Sequence, residues 1–274
     1  MSVEVNAPNT ASLLLQLSER VKDLPCGGVK IALAVPSYGH ADTLCQKDVR
    51  VAVMVAAAYG VVWVGDASPD RMGFSAGRNK VAEEVMDDPF VDGIMWIDSD
   101  IRMRPNAIAN LLTAAKEVKA EFISGAYHQR GKPFAPVFYH YNTVKDSFQS
   151  FQNYPENVVA PVEGCGFGFV YTSRACLQKI AAWKPQPKMK LHPLFAEGFT
   201  KKRGWFPDDR DNGGFGEDLS FCYQALKAGV PLWVHTGVQL GHLGEPEVIT
   251  RERFLREMPV QPSPDLFVPL PKKE

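Results

Sequence analysis

The first 125 residues alternate short apolar runs with longer segments of helical period, and this alternation restricts the fold more than any other feature of the chain. Val29–Val35 (VKIALAV) reads as a buried strand that stops at Pro36, followed by a helix over Asp42–Ala58 and a second strand at Val61–Val64. A helix over Ser75–Met86 then leads to the strand Gly93–Ile97 (GIMWI), and a helix with Pro105 at its first position leads to a fourth strand at Glu121–Ser124. Parallel strands need long crossovers, which helices supply, so this βαβαβαβ rhythm predicts an α/β fold with a mostly parallel, doubly wound sheet flanked by helices.

Near residue 130 the texture changes to aromatic-rich strand candidates at Phe134–Tyr141, Val158–Val162 and Phe167–Tyr171. A short helix after Ser173, a long loop-like segment, a helix over Leu219–Ala228 and a strand at Leu232–His235 follow. No Gly/Ser linker separates the halves, so both are expected to share one sheet and one cleft. The expected organisation is an N-terminal extension (1–28) with a helix over Ser12–Asp23, a first subdomain (29–130), a second (131–258), and a proline-rich surface tail (259–274).

Charge excludes several function classes. Thirty Lys and Arg against 31 Asp and Glu leave a net charge of -1, so no global basic field exists to drive nucleic-acid or membrane binding. No apolar run approaches the roughly 20 residues that span a bilayer, and the opening residues lack signal-peptide features. An intracellular, cytoplasmic protein is expected. The five cysteines (Cys26, Cys45, Cys165, Cys176, Cys222) are scattered and never form CxxC, which argues for reduced, buried thiols.

Function concentrates at the end of the third strand, where GIMWI runs into Asp98-Ser99-Asp100. Ligand crevices of open α/β sheets lie at the carboxyl ends of strands. Two carboxylates there repel unless they share a cation, and hard oxygen ligands suit Mg²⁺ or Mn²⁺ bound together with substrate phosphates. A solvated helix-capping turn is the structural alternative. Gly214-Phe215-Gly216 precedes Glu217-Asp218 at a helix start, where a glycine-permitted tight turn would present both acids. Gly241-His242-Leu243-Gly244 leaves an imidazole unshielded and able to ligate a metal. Glu163–Phe169 is glycine-rich without Walker spacing, and is expected to let a strand pass close to a bound ligand.

Taken in order, these motifs resemble the GT-A glycosyltransferases, particularly the nucleotide-sugar-dependent family 2 type and its viral, phage-type relatives. The resemblance covers most of residues 29–244 and rests on Val35-Pro36-Ser37-Tyr38, Gly65-Asp66-Ala67-Ser68, Ala76-Gly77-Arg78-Asn79, Asp98-Ser99-Asp100, Gly216-Glu217-Asp218 and His242. It implies that Pro36, Ser37, Asp66, Arg78, Asp98 and Ser99 hold the nucleotide of a nucleoside-diphosphate sugar, with UDP-sugar as the expected donor. It also implies that Asp98, Asp100 and His242 hold Mn²⁺ or Mg²⁺, and that Glu217 and Asp218 face the acceptor. Asp218 is the candidate general base of an inverting transfer. Gly65-Asp66-Ala67-Ser68 departs from the two acids and Gly-Ser of many relatives, which leaves the base preference open.

Between Trp183 and Phe206 six Lys/Arg stand against the single acid Glu197, interleaved with aromatics. A solvated loop over packed aromatics is one reading. The other is an acceptor surface in which Lys201, Lys202 and Arg203 hold phosphates while Trp183 or Trp205 stacks on an extruded, hydroxymethylated DNA base. A glycan or small molecule is the alternative acceptor. Competing functions are a nucleotidyltransferase, which lacks its glycine-rich signature here, a haloacid-dehalogenase-like phosphatase, and a non-catalytic carbohydrate-binding module of the same fold.

Overall fold

The computed structural model describes residues 7–37, 42–68, 72–151, 153–186, 190–196, 198–199, 203–244 and 248–257. Its first half contains α1 (Ala7–Arg20), β1 (Lys30–Ala34), α2 (Thr43–Ala58), β2 (Val62–Asp66), α3 (Phe74–Asp87), β3 (Gly93–Ile97), β4 (Ile101–Arg102), α4 (Ala107–Val118) and β5 (Phe122–Ala126). Then follow β6 (Phe138–Asn142), β7 (Ser147–Ser150), β8 (Val159–Val162), β9 (Gly164–Cys165), β10 (Phe169–Ser173) and α5 (Arg174–Ala182). The last elements are α6 (Glu217–Lys227), β11 (Leu232–Gln239), β12 (Gly241–Leu243), β13 (Val248–Ile249) and α7 (Arg251–Glu257). The 259–274 tail lies outside the described residues.

A central sheet takes the order β2-β1-β3-β10-β5-β11-β8. The ladders make β2, β1, β3, β5 and β11 mutually parallel, so the mostly parallel sheet flanked by helices is present. Strands from both sides of residue 130 share it. Two members run the other way: β8 lies antiparallel on β11 at the edge, and β10 lies antiparallel between β3 and β5. The sequence rhythm contains no sign of that insertion, because β10 reads locally like any other apolar strand.

The apolar strands are buried because both faces of the sheet are covered. All five residues of β3 are buried, and their alternation sends Ile94 and Trp96 to one face and Met95 and Ile97 to the other. Ile94 and Trp96 pack with Val81 and Val85 of α3, Leu177 and Ile180 of α5, and Phe221 of α6. Met95 and Ile97 pack with Val49 and Ala52 of α2 and Ile108, Leu111 and Leu112 of α4. Trp96 meets Phe206 and Phe167 edge-on, and its indole N–H donates to Thr172 Oγ1 at 2.9 Å, so the largest core residue leaves no polar group unpaired.

Helix starts follow capping chemistry. Asp42 accepts from the backbone N–H groups of Leu44 and Cys45 at 2.8 and 3.1 Å, and Ser173 accepts from that of Cys176 at 3.1 Å, each satisfying donors that a helix start leaves open. The helix expected to begin at Pro105 begins at Ala107 instead. All five cysteines are free and buried. Among the described residues no helix is long and apolar enough to cross a membrane.

Two small three-stranded sheets flank the cleft, β13-β12-β4 and β7-β6-β9. The first positions the chemistry. β4 begins directly after Asp100 and pairs with β12 in the register Gly241↔Arg102 and His242↔Ile101, while Leu243 N–H donates to the Asp100 carbonyl at 3.0 Å.

Candidate functional site

The carboxyl ends of β1 and β2 open into a cavity of about 290 Å³ lined by Leu33, Val35, Ser37, Asp66, Ser68 and Ser99, with Cys45, Gln46, Val49 and Arg50 of α2 on its other wall. Ser37, Asp66 and Ser99, three of the expected nucleotide-binding residues, therefore share one pocket. Pro36 is buried at its edge, and Tyr38 lies outside the described residues. Asp66 accepts from Ser68 N–H at 2.9 Å, and Ser68 Oγ accepts from Val35 N–H at 2.8 Å, which ties the ends of the two strands together. The α2 wall was not anticipated. Its residues carry no motif and enter only because the helix packs beside the strand ends.

The strand-end acids lie next to this pocket, and Arg78 organises them. Its side chain is 2% exposed, yet its Nη2 donates to Asp98 Oδ1 at 2.8 Å and its Nη1 to Glu217 Oε1 at 2.9 Å, with Asp218 Oδ1 at 3.8 Å. Asp98 after β3 and the acids at the start of α6 thus meet at one guanidinium. Phe167 and Phe206 lie under its faces at 5.4 and 6.0 Å. Arg78 was expected to touch the nucleotide. The structure shows it 2% exposed and engaged with Asp98 and Glu217 as an internal bridge, in keeping with the need of a buried charge for opposite partners.

Burial, together with Asp218 alongside, pushes the Glu217 carboxyl up to about 7, with Arg78 working against the shift. Burial also raises Asp98 against the pull of Arg78. The side chain of Asp218 is 31% exposed against 10% for Glu217, so Asp218 is the more open of the pair to the cleft. Gly216 precedes them with an ordinary φ of -63°, so no left-handed glycine is required there. The need for glycine lies earlier: Gly213 has φ 74°, and a Cβ at Gly214 would come within 2.2 Å of Leu194.

Asp100 faces the other way, toward His242 and Arg130. His242 Nε2 lies 3.5 Å from Asp100 Oδ2, and Arg130 Nη2 lies 2.5 Å from the same oxygen. Burial opposes ionisation of Asp100, but its polar neighbours, the Arg130 guanidinium among them, hold its carboxyl below the usual range. The second oxygen of Asp100 is buried without a hydrogen-bond partner among the described residues. His242 Nδ1 donates to the His128 carbonyl at 2.7 Å, which leaves Nε2 as an acceptor, the tautomer a metal ligand requires. Tyr127 meets His242 edge-on at 5.5 Å.

Of the three expected metal ligands, the structure brings Asp100 and His242 together, while Asp98 engages Arg78. Among the described residues no group of three or more His, Cys, Asp or Glu gathers as a metal set. The residues present nevertheless fit Mg²⁺ or Mn²⁺, which take one or two protein donors and complete their shell with substrate phosphates and water. The bare Asp100 oxygen and the Nε2 acceptor are that pair.

Other expected residues are placed differently. Trp183 and Trp205 are each only 7% exposed. Trp183 packs with Phe195 and Tyr223, and the Trp205 indole donates to the Leu177 carbonyl at 2.9 Å. Neither offers a face to a nucleic-acid base, which corrects that part of the acceptor reading: the aromatics are the underside of the loop. Arg203 pairs with Asp209 at 2.6 Å and lies over Phe195. Lys201 and Lys202 lie outside the described residues. The glycines of 164–168 make room for Tyr127: a Cβ at Gly166 would come within 2.3 Å of its hydroxyl, and Gly168 N–H donates to that hydroxyl at 2.9 Å. A larger cavity of about 600 Å³, lined by Arg102, Arg104, Gly241 and Arg251 among others, lies against the face of the β4–β12 ladder that points away from His242 and contains none of the expected site residues.

No family model and no curated protein matches the chain. Among solved structures, it is similar to the crystal structure of A197 from STIV, with 17% identity and a TM-score of 0.48 over 82% of this chain and 92% of that chain. It is also similar to the crystal structure of GalNAc-T7 with UDP, GalNAc and Mn²⁺, with 8% identity and a TM-score of 0.47 over 86% of this chain and 48% of that chain. At these scores the chemistry rests on the residues themselves.

Proposed function

We propose that the protein is a metal-dependent glycosyltransferase of the GT-A type, moving a sugar from a nucleoside-diphosphate sugar, UDP-sugar in the first instance, to an acceptor hydroxyl with inversion. The observation that carries this reading is the single guanidinium of Arg78 joining Asp98 to Glu217. It joins the acid that ends β3 to the acids that open α6, which supports reading them, with the Ser37–Asp66–Ser99 pocket beside Asp98, as parts of one cleft.

In this reading the pocket takes the nucleoside, and Asp66 and Ser99 supply its polar contacts. Asp100 and His242 would hold Mn²⁺ or Mg²⁺, which when bound neutralises charge developing on the departing diphosphate. Asp218 takes the proton of the acceptor hydroxyl as the new C–O bond forms. It acts from the face opposite the leaving group, so the anomeric configuration inverts. Glu217, buried against Arg78, orients donor or acceptor hydroxyls. A glycan or small-molecule hydroxyl stands ahead of a DNA base as acceptor, because the two tryptophans that would have stacked on a base are core residues.

Incubation with UDP-, GDP- and TDP-sugars in Mn²⁺ should release a nucleoside diphosphate slowly by hydrolysis and stop in excess EDTA. Binding of none of these donors would overturn the proposal. Binding without turnover under any acceptor would favour the non-catalytic module.

A further inference from the structure

Arg130 stands where a cation would stand. Its side chain is 60% exposed and follows β5 on a separate part of the chain, yet its guanidinium makes two contacts into the site: Nη2 to Asp100 Oδ2 at 2.5 Å and Nε to His242 Nε2 at 3.0 Å. His242 Nε2 is the atom that the reading above assigns to the divalent ion, and Oδ2 belongs to the same Asp100 carboxylate as the bare Oδ1 assigned with it. A lone pair on Nε2 that accepts from Arg130 is not available to a metal, and an Asp100 oxygen paired with a guanidinium has its charge already balanced. The surroundings explain why a positive charge is needed there at all times. Asp98, Asp100, Glu217 and Asp218 crowd one cleft, and the buried Arg78 is engaged on the Asp98 and Glu217 side.

We propose that Arg130 and the divalent cation are alternative partners of Asp100 and His242, so that Arg130 must swing out before the cation enters. The inference rests on the proposed metal role of these two residues. Its exposure allows the movement, since most of the side chain is in water and the displaced guanidinium gives up the Asp100 and His242 contacts. A free cation must therefore compete with a tethered charge. When a diphosphate arrives with it, the released guanidinium has a new anion within reach, and the cost of displacement is offset. Arg130 thereby couples the two ligands: each binds weakly alone and both bind well together, reciprocally as linkage requires. This would keep the site from filling with metal in the absence of donor.

The full chain, as wild type, Arg130→Ala, Arg130→Gln and His242→Ala, can be titrated with Mn²⁺ by the loss of the free-ion electron paramagnetic resonance signal. Titrations are run with and without inorganic pyrophosphate, which presents a diphosphate without committing to a base. The expected result is that both Arg130 variants bind free Mn²⁺ about five- to tenfold more tightly than wild type, the range of an exposed ion pair with a second hydrogen bond. Pyrophosphate should then tighten Mn²⁺ binding by a larger factor in wild type than in the variants, and His242→Ala should bind Mn²⁺ more weakly in both conditions. Unchanged or weaker Mn²⁺ affinity in both Arg130 variants, with wild type binding Mn²⁺ in pyrophosphate and His242→Ala impaired, would overturn the Arg130 proposal alone. Absence of Mn²⁺ binding by every protein, pyrophosphate present, would overturn the metal reading and the Arg130 proposal with it.

Discussion

Replacing Arg78 by methionine keeps much of the side-chain volume and removes the guanidinium that two carboxylates share. The arginine is 2% exposed, with partners at 2.8 and 2.9 Å and a third acid at 3.8 Å. Breaking a buried pair from one side costs about 3–5 kcal/mol, because the surviving charge stays buried without compensation. Asp98 and Glu217 both lose this partner, while Glu217 keeps Arg210 Nη2 at 3.7 Å, so a cost within that range applies at pH 8, where Glu217, at about 7, is ionised in the wild type. The pH dependence has a definite sign. Glu217 is raised above the ordinary value of 4.5, so its charged form is disfavoured by folding and its contribution is lost as pH rises through about 7. At pH 5 it is protonated with or without Arg78, and the variant then forfeits chiefly the Asp98 contact. Urea denaturation of wild type and Arg78→Met at pH 5 and pH 8 should show a stability gap that widens with pH by about 1–2 kcal/mol, a part of the buried-pair cost. A gap that is the same at both pH values, or that narrows toward pH 8, would refute the claim that Arg78 neutralises the helix-start acids.

Three further outcomes follow from the same geometry. Asp218→Asn should retain donor affinity in a nucleotide-binding titration while turnover falls by roughly 10² to 10⁴, the range for a lost general base, and near-wild-type turnover would remove Asp218 from that role. Trp205→Ala should lower stability by about 3–5 kcal/mol in a denaturant titration, as expected for a buried indole with a hydrogen bond, and a variant of normal stability would contradict its burial. Ellman's reagent should find almost no reactive thiol in the native protein and five after unfolding, since every cysteine is buried and burial pushes Cys45 up to about 12.

Much of this was legible in the chain where the signal is local. GIMWI ends in two acids because a strand covered on both faces must be apolar along its length and can turn polar only where it leaves the sheet. The caps Asp42 and Ser173 likewise act within three residues of themselves. What escaped is long-range. The pairing of β10 with β3 and β5 depends on where a distant strand finds an open edge, and the Arg78–Glu217 pair joins positions 139 residues apart. The choice between the two readings of the Trp183–Phe206 segment also needed the fold, because sequence does not reveal that the indoles turn inward onto Tyr223 and Leu177. Local charge described one side of the loop and not the other. The glycines of 164–168 suit a close approach to a ligand as well as to a side chain, and sequence does not reveal that Tyr127 fills the space at Gly166 and Gly168.

The short ladder between β4 and β12 has an evolutionary consequence. Asp100 and His242 come from distant parts of the chain, yet their separation is set by a few backbone hydrogen bonds between adjacent strands, Leu243 to Asp100 among them. The loop after β5 orients the imidazole, since the His128 carbonyl accepts from His242 Nδ1, but the spacing of the two backbones belongs to the ladder. Segments of the intervening chain that touch neither these strands, nor that loop, nor the central sheet are therefore open to insertion, loss and drift without altering the spacing of the pair. A lineage can remodel such segments while inheriting the same two paired strands.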